Sequence, residues 1–367
     1  MKIHPPLIEL LGGRWRFDAP IAAAAWNHEG AVAAFGLADG TVALARASWE
    51  GGPEVVPRPR GGVEVRPPTI SSPPVARVSV HKGASHTLVA EPGGGFLSGG
   101  DDGRVMRIER NGIVTQEMEF PERCVTFVAT GLAGWSACVA GREAIITGRY
   151  RHVLTLPSEG NALAFDPPGR CLAVAYQDGI SIWSSDGAPT RDLQFRGLPQ
   201  TLVWSPDSAW LAVGLDAGVR ACRLADGIDV ALRGFSGVGR ALSFSSDAHL
   251  LATSGARRVL YWQLAPEYLA EPGECGLPST SAPVCVVAFH PARLLVAAGY
   301  GSGAILLCQP GTEDVLFAKG AGGGALVTLA WSPEGQRLAF ATEGGEAGMM
   351  LLPDRLFRNN ALAATGH

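Results

Sequence analysis

Short apolar runs separated by turns of Pro, Asp, Ser and Gly fill this chain, and one pairing of them recurs. Residues 163–174, 202–213 and 329–340 each carry an apolar run ending in an aromatic, a polar turn, and a second apolar run. The junctions read Phe165-Asp166-Pro167, Trp204-Ser205-Pro206 and Trp331-Ser332-Pro333. Two apolar runs around a turn of these residue types predict a β-hairpin. Aligning on the aromatic taken to close the first run gives Phe127, Phe165, Trp204, Phe244, Phe289 and Trp331, at intervals of 38, 39, 40, 45 and 42 residues. Trp26 is an earlier copy, and residues 88–100 hold another.

A hairpin returning near every forty residues predicts stacked sheet blades. The fold class is therefore all-β: a closed β-propeller of four-stranded antiparallel blades, forming a single domain over residues 1–367. Eight units start near residues 21, 86, 124, 161, 200, 240, 284 and 327. Seven blades remain open if the weakly patterned unit around Phe127 is a decorated insertion. Within one unit, 161–165 is the first strand, 171–176 the second, 180–183 the third and 190–195 a more polar fourth. The turn at Gln177-Asp178-Gly179 joins the second strand to the third, because a tight hairpin needs positive φ. Asp39-Gly40 and Asp102-Gly103 repeat it. Second strands such as Leu172-Ala173-Val174-Ala175 are apolar on both faces, as strands buried on both faces are. The last unit has a third strand at 349–352 but no fourth before the tail 355–367. The apolar run 7–11 and residues 14–17 are left over at the N-terminus, so the first residues are expected to supply the outer strand of the last blade. Residues 50–76, rich in Pro with Arg58, Arg60 and Arg66, read as an extended excursion, either a surface loop or a partner-binding arm.

The 98–108 segment, Ser98-Gly99-Gly100-Asp101-Asp102-Gly103-Arg104-Val105-Met106-Arg107-Ile108, resembles the second and third strands of a WD40 repeat. Ile180-Ser181-Ile182-Trp183 and Val259-Leu260-Tyr261-Trp262 resemble that family's strand ending in tryptophan, and the Trp-Ser-Pro segments are similar to TolB-like repeats. The resemblance covers about residues 80–354 and implies a non-catalytic platform for protein assembly. No unit ends in Trp-Asp, and His86 is the nearest counterpart of the family's Gly-His, so its buried Asp–His–Ser/Thr–Trp network is not carried over.

Hydrophobic residues make up 47% and charged residues 17% of the 367, with a net charge of −4. No basic field favours nucleic acid or an anionic membrane. No apolar window reaches the roughly eighteen residues of a membrane span. The seven cysteines show no Cys-x-x-Cys pair or disulfide framework; all but Cys275 fall in predicted strands. A cytoplasmic monomer is expected.

The motifs that would carry catalysis fail on spacing. Gly234-Phe235-Ser236-Gly237 and Gly301-Ser302-Gly303 are not a nucleophile elbow. The glycines of 320–324 beside Lys319 lack the phosphate-loop order and precede a strand. Asp101-Asp102-Gly103 is too few oxygens for calcium. His81 with His86, and Cys285 with His290, match no zinc spacing, and His290 reads as a surface histidine in a first turn. No catalytic residue, metal or cofactor is therefore assigned. The candidate binding surface is the rim of second-to-third-strand turns, which converge on one face around the axis. Arg142, Arg257, Arg258 and Tyr300 stand in turns that replace Asp-Gly there, and Tyr176 closes a second strand. Arg and Tyr are common interface hot spots. The function this supports is a protein–protein scaffold. The alternatives are a small-molecule or metal-handling protein using the axial opening, or an enzyme with an axial site.

Overall fold

The computed structural model describes residues 5–59, 62–132, 134–216, 218–232, 241–264, 271–278 and 282–357. Its core elements are eight four-stranded antiparallel sheets. In seven of them the four strands, here a to d, pair in chain order, consecutively in all but blade 1. Blade 2 is typical: Ser85–Ala90, Phe96–Gly100, Arg104–Ile108 and Val114–Glu119. The other a strands are Ile21–Trp26, Phe127–Thr130, Gly160–Phe165, Pro199–Trp204, Leu242–Phe244, Val284–Phe289 and Leu326–Trp331. Neighbouring a strands lie side by side in order, and blade 8 meets blade 1, so the sheets form a ring. The fold is an eight-bladed β-propeller.

Blade 8 is closed by the N-terminus. Strand Gly12–Arg16 pairs antiparallel with Glu346–Leu351, from Gly12 opposite Met350 to Arg16 opposite Glu346. The apolar run before it is not strand but one helical turn, Leu7–Leu11, which buries Leu11 and sets Ile8 in the seam of blades 7 and 8. The excursion lies within blade 1, between its c and d strands; it forms a hairpin, Glu54–Pro57 with Val63–Arg66, and then returns along the outer edge of the closing strand. Arg14 N–H donates to Ser71 O at 2.8 Å, Ser72 Oγ donates to Arg14 O, and Trp15 Nε1 donates to Pro73 O. A sheet edge that would otherwise be open is thereby covered. Only after this detour does Ala76–Ser79 supply the d strand of blade 1.

The hydrophobic core is divided into eight clusters, one between each pair of neighbouring blades. The b strands sit in the middle of these wedges. Val32–Leu37 and Trp210–Leu215 are buried along their whole length, which explains their small or apolar residues.

The repeated aromatic has a physical role. Trp26 Nε1 donates to Ala330 O at 2.9 Å, Trp204 Nε1 to Ala164 O at 3.0 Å, and Trp331 Nε1 to Ala288 O at 3.1 Å. Each indole ties its a strand to the a strand of the preceding blade, and Trp26 makes the tie that closes the ring. In blade 3 the register taken from the sequence is wrong: Phe127 opens its a strand rather than closing it. Thr130 does the tying there, its hydroxyl donating to Ala90 O at 2.7 Å.

The residue after the aromatic is equally explained. Asn27, Asp166, Ser205, Ser245 and Ser332 are buried and accept backbone N–H bonds from across the a–b turn. His290 does this in blade 7, its Nδ1 accepting from Ala292 N–H at 3.0 Å. The histidine is therefore not on the surface: it is 1% exposed, and its Nε2 bonds Gly335 O in blade 8. With Nδ1 accepting and Nε2 donating, it is held as one neutral tautomer.

Among the described residues, no helix is long and apolar enough to cross a membrane. All seven cysteines are free, but two lie elsewhere than their sequence context suggests. Cys275 ends a d strand and is buried, whereas Cys124 is exposed in the connection between blades 2 and 3.

Candidate functional site

Among the described residues, antiparallel order within each blade puts the b–c turns and the d-to-a connections on one face of the ring. The a–b and c–d turns share the other face. On the first face the two kinds of segment bond to one another. His81 N–H donates to Gly40 O, Leu156 N–H to Arg142 O, Phe195 N–H to Asp178 O, Val284 N–H to Ala256 O and Gly322 N–H to Ser302 O. The rim is thus built of backbone fixed at both ends. Its Asp and Gly residues serve this geometry: Gly40, Gly103, Gly141 and Asp178 all have positive φ.

The five rim candidates divide into two groups. Arg142 and Arg257 are exposed, and Arg142 spends only its Nε, on Leu156 O at 3.3 Å. Arg258 is half-buried and held by Glu274 at 3.6 Å and Glu313 at 3.2 Å. The tyrosines offer no surface. Tyr176 packs over Gly179, whose Cβ would sit 2.6 Å from the phenol oxygen, and that oxygen accepts from Gln194 Nε2. Tyr300 is 3% exposed, donates to Leu277 O at 3.1 Å, and has its ionisation pushed up by burial. Both tyrosines end b strands, and b strands are buried on both faces. Arg142 belongs to blade 3 and Arg257 with Arg258 to blade 6, so the arginines stand three blades apart and form no single cluster. Sequence reasoning missed two exposed apolar residues on this face, Leu198 and Leu277, which lie in d-to-a connections.

Three polar constellations on the same face define its chemistry. In blade 2, His81 Nδ1 bonds Asp102 Oδ1 at 2.9 Å, its Nε2 bonds Ser98 Oγ at 3.0 Å, and Ser98 bonds Ser85 Oγ at 2.9 Å. This Asp–His–Ser order has the connectivity of a hydrolase triad. Its serine, however, is fully buried within Phe96–Gly100, where no substrate can reach. The set bolts the connection between blades 1 and 2 to the b–c turn. Burial depresses the His81 pKa against the opposing pull of Asp102, which favours the neutral ring. Three polar members of the family's buried network are therefore present after all, around His81 and not His86, with no tryptophan in the blade to complete them.

The second constellation surrounds Lys319, 4% exposed at the end of blade 7. Its Nζ donates to Gly303 O, Gly320 O and Gly322 O at 3.0, 3.2 and 2.9 Å and pairs with Glu346 of blade 8 at 3.1 Å. The glycine-rich loop presents carbonyls to an ammonium, the reverse of the N–H cradle a phosphate requires. The third is His86 Nε2 against Asp101 Oδ1 at 2.5 Å, with the Cys124 thiol beside the same carboxylate. Of the other nucleophile motif, Gly234-Phe235-Ser236-Gly237, all four residues lie outside those described. On the opposite side, a cavity of about 380 Å³ opens between the excursion and blade 8, lined by Trp49, Glu54, Arg337 and Met350 among others.

No protein-family model matches the sequence, and no curated protein is similar to it in sequence. Solved structures are similar in fold. The β-propeller domain of Cps50 (Swd1) from Myceliophteria thermophila is 16% identical, with a TM-score of 0.56, covering 82% of this chain and 98% of that one. A chain of the mitotic checkpoint complex is 12% identical, with a TM-score of 0.59, covering 96% of this chain and 99% of that one. The chain has the WD40-type β-propeller fold.

Proposed function

We propose that this protein is a non-catalytic interaction scaffold of the cytoplasm whose b–c face docks a protein partner. The observation that carries this reading is the composition of that face. The exposed Arg142 and Arg257, the half-buried Arg258, and the exposed Leu198 and Leu277 are all displayed on turns and connections fixed by backbone bonds. Arginine and apolar side chains spread over a preorganised rim are residue types enriched at interface hot spots. Similar folds occur in an assembly, the mitotic checkpoint complex, which supports a role in complexes. The inward-facing tyrosines contribute by stiffening the rim rather than by contact. The seven free cysteines suit a reducing compartment.

The test is partner capture from native lysate by the wild type and by a variant carrying Arg142→Glu, Arg257→Glu and Arg258→Glu. Loss of a partner from the variant is the expected result, and also from Arg142→Glu with Arg257→Glu alone, which leaves the Arg258 ion pairs and the thermal stability unchanged. Equal capture by wild type and variants would remove the b–c rim from consideration.

A further inference from the structure

We propose that His86, Asp101 and Cys124 form a binding site for one divalent metal ion of the zinc class. Among the described residues they are the group whose imidazole, carboxylate and thiol donors all lie within 4.8 Å of one another. Ligand atoms around a tetrahedral zinc stand about 3.3–3.6 Å apart, so loading opens the 2.5 Å His86–Asp101 pair and draws the Cys124 sulfur to the same spacing, shifts that rotamer changes of exposed side chains supply. The donor mixture is selective. Thiolate with imidazole suits zinc and its borderline neighbours, whereas calcium and magnesium take oxygen.

The three residues converge because of the fold. His86 lies on the a strand of blade 2 and Asp101 in the b–c turn of the same blade. Cys124 lies in the connection to blade 3, where Val125 N–H donates to Gly100 O at 3.0 Å and so places residue 124 beside residue 101. Asp101 is clamped from both sides: its N–H donates to Ala84 O at 3.0 Å, and its Oδ2 accepts Ala84 N–H at 2.8 Å. That leaves Oδ1 directed at His86 Nε2, 2.5 Å away. Gly83 permits the clamp, since a Cβ there would lie 2.8 Å from the Asp101 side chain. A ligand held by a second, backbone interaction is the usual arrangement in metal sites. All three side chains reach solvent, so an ion can enter and keep an open position for water or a partner's ligand. Binding displaces the thiol proton and the His86–Asp101 hydrogen bond, so a proton is released to solvent on loading.

The experiment is titration of the reduced, tag-free full chain with Zn²⁺ against a chromophoric chelator, followed by Co²⁺ to read the ligand set. One equivalent of Zn²⁺ per chain is expected, with a Co²⁺ adduct showing a thiolate-to-metal charge-transfer band. Cys124→Ser removes that band, and Cys124→Ser, His86→Gln and Asp101→Asn each weaken Zn²⁺ binding by about tenfold or more. Cys285→Ser, in blade 7, leaves affinity and band unchanged. Melting curves of the metal-free variants confirm that each is folded. Absence of saturable binding, a band that survives Cys124→Ser, or equal loss in Cys285→Ser would each overturn the assignment. None of these outcomes depends on whether the b–c face docks a protein.

Discussion

Replacing Lys319 is the sharpest test of how neighbouring blades are held together. Its ammonium is 4% exposed, donates to three glycine carbonyls, and pairs with Glu346 across the seam of blades 7 and 8. Lys319→Met keeps an unbranched aliphatic stem but removes the charge, and with it the cation–π contact of Nζ with the Phe340 ring at 5.7 Å. Glu346, 15% exposed, then holds a part-buried carboxylate without its cation, and three carbonyls lose a donor. Removing one member of a buried pair costs roughly 3–5 kcal/mol. Glu346→Gln leaves Lys319 its carbonyls and an amide oxygen, so the loss should be about 1.5–3 kcal/mol, the range for a hydrogen bond to a charged group. The double variant should cost less than the sum of the two, by a coupling of about 0.5–3 kcal/mol. Urea unfolding of the four proteins measures the cycle. A loss under about 1 kcal/mol for Lys319→Met, or strictly additive losses, would refute the assignment of this contact as a seam fastener.

Trp26→Phe removes the indole donor to Ala330 O and should cost about 1–3 kcal/mol in urea unfolding. Trp204→Phe should match it at the blade 4–5 seam, and no loss in either would mean the indole ties are incidental. His290 predicts a pH dependence. Burial holds its folded pKa below the ordinary 6.5, so the unfolded chain binds the proton more tightly. Its contribution is complete above about pH 6.5 and is lost as the pH falls below that value. His290→Ser, which installs the residue found in blades 5, 6 and 8, should flatten the fall in Tm between about pH 7 and pH 5. Parallel Tm curves for the two proteins would contradict this.

The ring was legible in the sequence because its fastening residues recur. The aromatic that closes an a strand packs in the blade seam, and as Trp in blades 1, 5 and 8 also bonds the preceding blade, while the Ser, Asp or Asn after it binds the a–b turn, so both repeat at blade spacing. Where another residue does the same job the signal fades. Thr130 ties blade 3 with a hydroxyl, and the pattern offered Phe127 in its stead. His290 looked like a surface residue because imidazole is unusual in that turn, yet its Nδ1 accepts as the serine oxygens do. Tyr176 and Tyr300 looked like rim residues because they border turns, but the last residue of a b strand still packs between blades. The His86, Asp101 and Cys124 set was invisible to spacing rules, because its members come from a strand, a turn and the connection to the next blade.

A benzophenone amino acid placed at position 198 or 277, on the b–c face, and at 132 or 294, in a–b turns of the opposite face, tests the docking account most directly. All four leucines are exposed, so each probe reaches solvent without entering the core. Irradiation in native lysate is predicted to cross-link one partner from 198 and 277 but not from 132 and 294. The cross-link should disappear when Arg142, Arg257 and Arg258 are reversed in charge. Cross-links from 132 and 294 alone, insensitive to those reversals, would place the working surface on the other side of the ring.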